Sequence, residues 1–248
     1  NLKSEDVKSI TLIPAKSIEE DNPILLKKDP GYIGSLMILP GYVRDRLLGH
    51  NWNAKATAGK IFNRSWFKTV REIPNDVVAW VRYWDKAGTE GGGKFSAGVL
   101  VGLRANKRLI IADVRRGQWS TGQREAMIAQ TAALDQLRYG DELQIWVETE
   151  PGSGGKESSE NTIVNLAGYL IRAERVTGSK VTRAGWLSTQ AEIGNVDILL
   201  FNRTPEESTE AFLNEAQNFD GVHGYTDQID AASGATNKVT KIGWMSTL

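Results

Sequence analysis

The sequence predicts a mixed α/β fold in which the sheet begins with antiparallel strands and continues through helical crossovers. Between residues 76 and 119, segments rich in β-branched and aromatic residues follow one another through short turns. From residue 120 onward, segments with helical spacing alternate with further strand-like segments. Strands joined by short turns pair antiparallel, whereas a strand that follows a helix joins the sheet through a crossover.

Three strands are predicted first, at 76–85, 95–105 and 108–119. The first reads "DVVAWVRYWD" and is followed by the glycine-rich turn "KAGTEGGGK". Asn106 and Lys107 separate the second strand from the third, which is typical of a β-hairpin.

Helices and two further strands follow. The helix at 120–140 has Ser120 or Thr121 as its N-cap and Gly140 at its end. Ser158 or Ser159 is expected to cap the next helix. The remaining elements are predicted as helices at 158–173, 179–194, 205–219 and 225–239, and as strands at 142–150 and 195–201.

Residues 1–75 differ from the rest of the chain. Five of the seven prolines lie there, and "DPGYIGSLMILPGYVRDRLLGHNW" indicates two short helices broken at Pro40. The segment "GKIFNRSWFKTV" then predicts a strand or loop rich in aromatic residues. We therefore expect a linker or wrapping segment at 1–75 and one α/β domain at 76–248.

The composition excludes several classes of site. Without cysteine the chain has no disulfide framework and no thiolate metal site, and two histidines are too few for a histidine-rich zinc site. Lys plus Arg and Asp plus Glu both number 30, so net charge does not indicate nucleic-acid binding. No apolar stretch is long enough to span a membrane. Carboxylates are the abundant metal ligands, and they suit Mg²⁺ or Mn²⁺.

Carboxylates stand at the ends of predicted elements. Asp85 closes the first predicted strand, and Glu148 and Glu150 close the fourth on one face. Asp227 and Asp230 are three residues apart in the last helix and therefore point to one side. If the two strands are neighbours the acids converge, and converging carboxylates repel one another unless a cation neutralises them. A pair of Mg²⁺ ions about 4 Å apart is the usual solution at a phosphodiester.

Two glycine-rich segments look like a phosphate-binding loop but lack its pattern. In "GTEGGGKFS", Lys94 is followed by Phe95, where a hydroxyl residue is needed to bind Mg²⁺. In "ETEPGSGGKESSENT", Lys156 is followed by Glu157, and Glu150 stands where the first glycine is required. The sequence therefore predicts no nucleotide-binding site and no ATPase motor.

Five spaced motifs carry a resemblance to a known family: "VRYWDKAGT", "LIIADVRRGQWS", "IWVETEPGSGGKESSENTI", "TGSKVTRA" and "YTDQIDAASGA". In this order they resemble the RNase H-like nucleases, and more closely the C-terminal nuclease domain of the tailed-bacteriophage terminase large subunit. The segment from "IPAKSIEEDNPILLKK" to "GKIFNRSWF" is similar to the stretch that joins the terminase ATPase to its nuclease. The resemblance covers nearly the whole chain. It implies an RNase H-like mixed central sheet with an antiparallel three-strand start and flanking helices.

The resemblance also implies a function and a set of metal ligands. It implies a metal-dependent endonuclease that cleaves concatemeric double-stranded DNA with Mg²⁺ or Mn²⁺, as two ions. The catalytic ligands that it implies are Asp85, Glu148 and Asp227. Asp230 and Glu150 are the alternatives, because Thr226 stands where many relatives carry the first of two adjacent aspartates.

The partners that the resemblance implies are those of a viral packaging motor. They are double-stranded DNA, an ATPase domain upstream in the same polypeptide, the portal and the small terminase subunit. The resemblance implies no membrane partner and places the protein in the host cell cytoplasm, as a viral or prophage-encoded chain.

Basic side chains near the motifs are expected to contact DNA phosphates without reading sequence. They are Arg115, Arg116, Lys156, Lys180 and Arg183. An ordinary solvated face remains the alternative for each of them.

Two other functions fit the same sequence. One is a junction resolvase or integrase-type nuclease of the same fold. The other is a non-catalytic module that binds DNA and docks the motor, and Thr226 in place of an acid favours it.

Overall fold

The computed structural model describes residues 23–37, 47, 61–86, 93–140, 143–150 and 152–245, with side chains up to residue 242. Two compact units are distinguished, Asn1–Lys55 and Ala56–Leu248. In the first unit, the described residues form two short helices, α1 (Pro23–Lys28) and α2 (Tyr32–Met37). The helix predicted after Pro40 and most of the turn predicted at 86–94 lie outside the described residues.

A seven-stranded mixed sheet forms the centre of the second unit. Its strands are β1 (Lys68–Val70), β2 (Val77–Asp85), β3 (Ser96–Arg104), β4 (Leu109–Gly117), β5 (Gln144–Thr149), β6 (Leu170–Arg175) and β7 (Val196–Leu199). They lie in the order β1-β7-β4-β3-β2-β5-β6. β3 pairs antiparallel with β2 and with β4, whereas the other neighbours in the sheet are parallel. This order confirms the predicted RNase H-like mixed sheet with its antiparallel three-strand start.

Five helices flank the sheet along the described part of this unit. They are α3 (Thr121–Tyr139), α4 (Ser153–Asn165), α5 (Lys180–Glu192), α6 (Thr209–Asn218) and α7 (Asp227–Met245). Ser120 is the N-cap of α3, because its side chain accepts from the amide of Gln123 while the Gln123 side chain accepts from the amide of Ser120. Gly140 ends the same helix at φ 87°, where a side chain would be strained.

The prediction for 158–173 was wrong at both ends. The helix α4 begins at Ser153, directly after Gly152, so Ser158 and Ser159 lie inside the helix and do not cap it. Residues predicted as the end of that helix instead form the edge strand β6, which pairs parallel with β5. Gly168, at φ 102°, separates the two elements in a conformation that favours glycine.

The two faces of β2 pack against different helices. Trp84 belongs to a buried apolar cluster with Ile128 and Ala132 of α3. Tyr83 points the other way and meets Gly234 of α7, where a Cβ atom would lie 2.6 Å from the ring. Since side chains alternate along a strand, Asp85 shares the α7 face with Tyr83.

Residues 61–70 belong to the same compact unit as the sheet. β1 pairs parallel with β7, and Arg64 donates to Glu210 of α6 at 2.8 Å. The rings of Phe67 and Phe212 meet edge to face with centroids 5.8 Å apart. The predicted boundary between residues 75 and 76 therefore falls inside a unit that begins at Ala56.

Within the described residues, no helix combines the length and the apolar character needed to cross a membrane.

Candidate active site

Asp85 and Glu148 stand side by side because β2 and β5 are parallel neighbours. Trp84 is opposite Val147 in this pairing, and the next residue of each strand is the acid. The sequence hypothesis that the two strands are adjacent is therefore correct. It follows that two carboxylates share one edge of the sheet.

The first turn of α7 brings two more carboxylates to that edge. Asp227 is the first residue of α7, and Asp230 lies three positions later on the same side. Both are almost fully buried, at 3% exposure each. Together with Asp85 and Glu148 they line a cavity of about 240 Å³. The predicted alternative Glu150 lines it too, so the structure brings all five predicted acids to one cavity.

Glu215 of α6 fixes the start of α7. Its Oε1 accepts from the backbone amides of Gln228 at 2.7 Å and Ile229 at 3.1 Å, and its Oε2 accepts from the Gln228 side chain at 2.8 Å. These amides belong to the first helical turn, which has no partner within the helix. Glu215 therefore positions Asp227, and sequence reasoning did not single it out because it looks like a solvated residue of an amphipathic helix.

Two basic side chains of α5 enter the acid cluster. Lys180 donates to Asp230 and to the hydroxyl of Thr226. Arg183 donates to Oε2 of Glu148 at 3.1 Å and to Oδ1 of Asp230 at 3.5 Å. Both were predicted to contact DNA phosphates, and in this structure both donate to carboxylates.

Burial dominates the proton affinities of the acids. It raises the pKa of Asp85 well above the usual range, and the nearby carboxylates of Glu148 and Asp230 raise it further. Burial also raises the pKa of Glu148 against the opposing effect of Arg183. The pKa of Asp227 is raised by burial as well, and Arg116 opposes that shift. These acids therefore carry their charge at a cost that a cation would relieve.

Asp227 keeps one carboxylate oxygen without a hydrogen bond. Its Oδ2 is buried and has no hydrogen-bond partner among the described residues, and the guanidinium of Arg116 is 4.0 Å away. An unsatisfied buried carboxylate oxygen is costly, and hard divalent cations prefer such ligands. Within the described part of the chain, however, no three acids or histidines are arranged to hold a metal ion. The donor chemistry fits a divalent cation. In this structure Asp230 is ion-paired with Lys180, and Glu148 is ion-paired with Arg183.

Glu150 differs from Glu148 in its surroundings. Glu148 is ion-paired, with a side chain 12% exposed, whereas Glu150 is solvent-exposed at the mouth of the cavity. Beyond it, Gly155 approaches so closely that a Cβ atom would lie 2.2 Å from the carbonyl oxygen of Glu150. The first turn of α4 therefore packs against the end of β5, and Glu148 is the more buried of the two acids.

The other predicted DNA contacts lie in three different environments. Arg116 is largely buried, with its guanidinium 3.9 Å from the centre of the Phe95 ring and 3.4 Å from Glu215. Arg115 lies within 3.7 Å of Asp113 and 3.6 Å of Glu207. Of the three, Lys156 alone has an open side chain, 74% exposed and 3.6 Å from Glu160. The structure therefore does not gather these residues into one surface.

A larger cavity of about 740 Å³ adjoins the acids and shares Glu148 and Glu150 with them. Lys86, which follows Asp85, lines it and donates to Ser158 and Thr162 of α4. Burial lowers the pKa of Lys86 to about 8. Sequence reasoning missed this lysine, although its place next to Asp85 was a signal.

No family model matches the chain, and no curated protein matches it. Solved structures do. The chain is similar to the large terminase nuclease of thermophilic phage G20c with bound magnesium, at 17% identity and a TM-score of 0.49 over 71% of this chain and 94% of that one. It is similar to the manganese-soaked, inhibitor-bound terminase nuclease domain of human cytomegalovirus, at 17% identity and a TM-score of 0.49 over 68% and 86%. The yeast mitochondrial Holliday junction resolvase is similar at 11% identity and a TM-score of 0.41 over 70% and 83%.

Proposed function

We propose that this chain is a divalent-metal-dependent endonuclease that hydrolyses phosphodiester bonds of double-stranded DNA. One observation carries the proposal. Carboxylates from β2, β5 and α7 line one cavity, and the buried Oδ2 of Asp227 has no hydrogen-bond partner there. Most buried polar atoms have a hydrogen-bond partner, so a buried carboxylate oxygen without one supports a role as a metal ligand.

Asp85, Glu148 and Asp227 are the residues that would hold the cation. Their oxygen donors suit Mg²⁺ or Mn²⁺. When bound, such ions polarise the scissile phosphate, activate a water molecule and stabilise the leaving 3′ oxygen. The resemblance of the motifs implies a pair of them.

Lys180 and Arg183 have a second role in this proposal. Both are charged side chains of one helix, and both lie at the wall of the cavity that the acids line. An incoming phosphate would meet them there, and cations at such a position attract the backbone without reading base sequence. The exposed Lys156 would contact the backbone farther from the cut.

The biological setting follows from the motif resemblance. We propose that the nuclease cuts concatemeric DNA during viral genome packaging in the host cytoplasm. Its partners would then be an ATPase domain of the same polypeptide, the portal and the small terminase subunit.

Cleavage of a supercoiled plasmid tests the proposal. We expect nicked and linear products with Mn²⁺ or Mg²⁺, no products with a chelator, and no cutting of an RNA duplex of the same sequence. Absence of metal-dependent cutting on every DNA substrate contradicts the proposal. Preference for a four-way junction over linear duplex would favour the resolvase alternative.

A non-catalytic DNA-binding module is the second candidate. Thr226 lacks a charge, and Lys180 and Arg183 already hold Glu148 and Asp230. Calorimetry distinguishes the two functions. The module binds DNA and gives no heat with Mn²⁺, whereas the nuclease binds the ion.

A further inference from the structure

The acid cluster contains cations of its own. Lys180 is the first residue of α5, and the side chain of Ser179 caps that helix by accepting from the amide of Thr182. The lysine is thus fixed at its backbone close to the point where it enters the cavity. Its ammonium group donates to Asp230 and Thr226 and lies near enough to Asp85 and Asp227 to interact electrostatically.

The hydroxyl of Thr226 completes the environment of this ammonium group. Thr226 accepts from Lys180 and donates to Oδ2 of Asp230 at 3.1 Å. A neutral side chain at this position adds no negative charge, so Asp230 is the carboxylate that Lys180 neutralises directly. The three side chains are hydrogen-bonded to one another, and the ammonium group donates to an oxygen of each of the other two.

The charges of the cavity leave room for one divalent ion. Asp85, Glu148, Asp227 and Asp230 are its four inner carboxylates, and Lys180 and Arg183 are paired with two of them. Three further cations lie outside this inner set. Arg116 lies beside Glu215, and the ammonium group of Lys86, which also lines the cavity, donates to Ser158 and Thr162 of α4. Lys94 is exposed at the mouth of the cavity, as is Glu150. The remaining charge of the inner set is minus two, which a single divalent ion neutralises. A second divalent ion would make the buried set positive, which burial penalises.

The carboxylates of Asp230 and Asp227 differ in whether their oxygens are hydrogen-bonded. On the Asp230 side, carboxylate oxygens are engaged by Lys180 and Arg183. On the Asp227 side, Oδ2 is buried without a hydrogen bond. The unpaired Oδ2 of Asp227 and the ammonium group of Lys180 therefore indicate two separate positions for positive charge.

We propose that the site binds one divalent cation, held by Asp85, Glu148 and Asp227, and that the ammonium group of Lys180 takes the place of a second ion. This inference rests on the proposed nuclease function. It departs from the pair of ions that the motif resemblance implies. It makes Lys180 a fixed positive charge of the reaction site, with Thr226 and Asp230 as the residues that position it.

Counting bound Mn²⁺ tests the inference without an activity assay. Equilibrium dialysis and calorimetry of the full chain give the number of ions, and electron paramagnetic resonance distinguishes isolated Mn²⁺ from two ions about 4 Å apart, which couple. The wild-type chain is expected to bind one uncoupled ion. Lys180→Met combined with Thr226→Asp removes the internal cation and adds a ligand, and it is expected to bind two coupled ions. Lys68→Met, on the opposite edge strand β1, is the control and should bind one.

The outcomes separate the inference from the function. Two coupled ions in the wild-type chain overturn the inference and leave the nuclease proposal standing. One ion without any DNA cleavage supports the inference and contradicts the function. A double variant that folds, as judged by circular dichroism, and still binds one ion also overturns the inference. If that variant does not fold, the wild-type count decides alone.

Discussion

Oε1 of Glu215 accepts from the backbone amide of Gln228 at 2.7 Å, and this hydrogen bond ties α6 to the first turn of α7. The residue before Gln228 is Asp227, whose carboxylate lines the acid cavity. A buried residue that touches no proposed substrate thus sets the position of a proposed ligand.

Glu215→Ala is expected to weaken both folding and metal binding. The change leaves two buried amides and one side chain without their acceptor, at a cost of about 1–3 kcal/mol in the free energy of unfolding. Urea unfolding and Mn²⁺ titration measure the two effects. Glu210→Ala is the matched control, because Glu210 lies in the same helix with an exposed side chain paired to Arg64. Equal effects of the two changes would contradict the positioning role.

Gly155 and Gly154 are neighbours in α4 with opposite expectations. A Cβ atom at Gly155 would lie 2.2 Å from the carbonyl oxygen of Glu150, whereas nothing lies within 4 Å of one at Gly154. Gly155→Ala should destabilise the protein by about 1–3 kcal/mol and slow cleavage, because it displaces the end of β5. Gly154→Ala should stabilise it by up to about 1 kcal/mol. Urea unfolding of both variants tests this, and equal stabilities would contradict the close packing of the first turn of α4 against Glu150.

Arg82 holds together a buried ionic network beneath the sheet. It is fully buried and donates to Asp135 at 2.7 Å and to Asp113 at 2.8 Å. Arg82→Met should cost about 3–5 kcal/mol in the free energy of unfolding, because it leaves the buried carboxylates of Asp135 and Asp113 without their cation. Arg64→Met breaks an exposed ion pair and should cost less than about 1 kcal/mol. Chemical denaturation measures both losses of unfolding free energy. Similar losses for the two variants would contradict a structural role of the Arg82 network.

The raised pKa of Asp85 predicts how stability depends on pH in the absence of metal. An unfolded aspartate titrates near pH 3.9, so between about pH 4 and the raised pKa the folded chain keeps a proton that the unfolded chain loses. The free energy of unfolding therefore falls as pH rises through this window. Asp85→Asn has no such proton to lose, and it should melt at a higher temperature than the wild type at neutral pH.

Asp76 gives the comparison of opposite sign. Its hydrogen bond from Arg104 lowers its pKa, so its stabilising effect is present above the pKa of the unfolded state and is lost as pH falls. Asp76→Asn should therefore melt below the wild type at neutral pH. Melting curves of both variants between pH 4 and neutrality test the signs, and a lower melting temperature for Asp85→Asn at neutral pH would contradict the burial of its charge.

The strand-end acids could be predicted from the sequence, whereas their cations could not. Asp85 and Glu148 follow apolar strands whose pairing the order of elements favours. Spacing along the chain shows that Lys180 and Arg183 share a face of α5, but not which element that face meets. The sequence therefore led to the prediction that they contact DNA phosphates, and the fold shows that they also pair with Asp230 and Glu148.

The sequence also failed to predict the strand β6, because local spacing did not identify it. Leu166, Leu170 and Ile171 have the spacing of a helical face, and short apolar runs do not distinguish a strand from a helix. As an edge strand β6 is largely exposed, so it lacks the continuous apolar character of the buried strands. Gly168 was the signal of a break.

Cleavage of plasmid DNA by Asp85→Ala and by Asp76→Ala tests whether the acid cavity is the active site. Asp85 is the last residue of β2 and lines the acid cavity, whereas Asp76 directly precedes β2 and does not line it. Comparing the two variants therefore distinguishes a loss of the acid cavity from a general disturbance of β2. With Mn²⁺, at a temperature where both variants are folded, Asp76→Ala should cut as the wild type does. Asp85→Ala should lose on the order of 10²-fold or more of the rate. Equal cutting by Asp85→Ala and the wild type would contradict the assignment of this cavity as the active site.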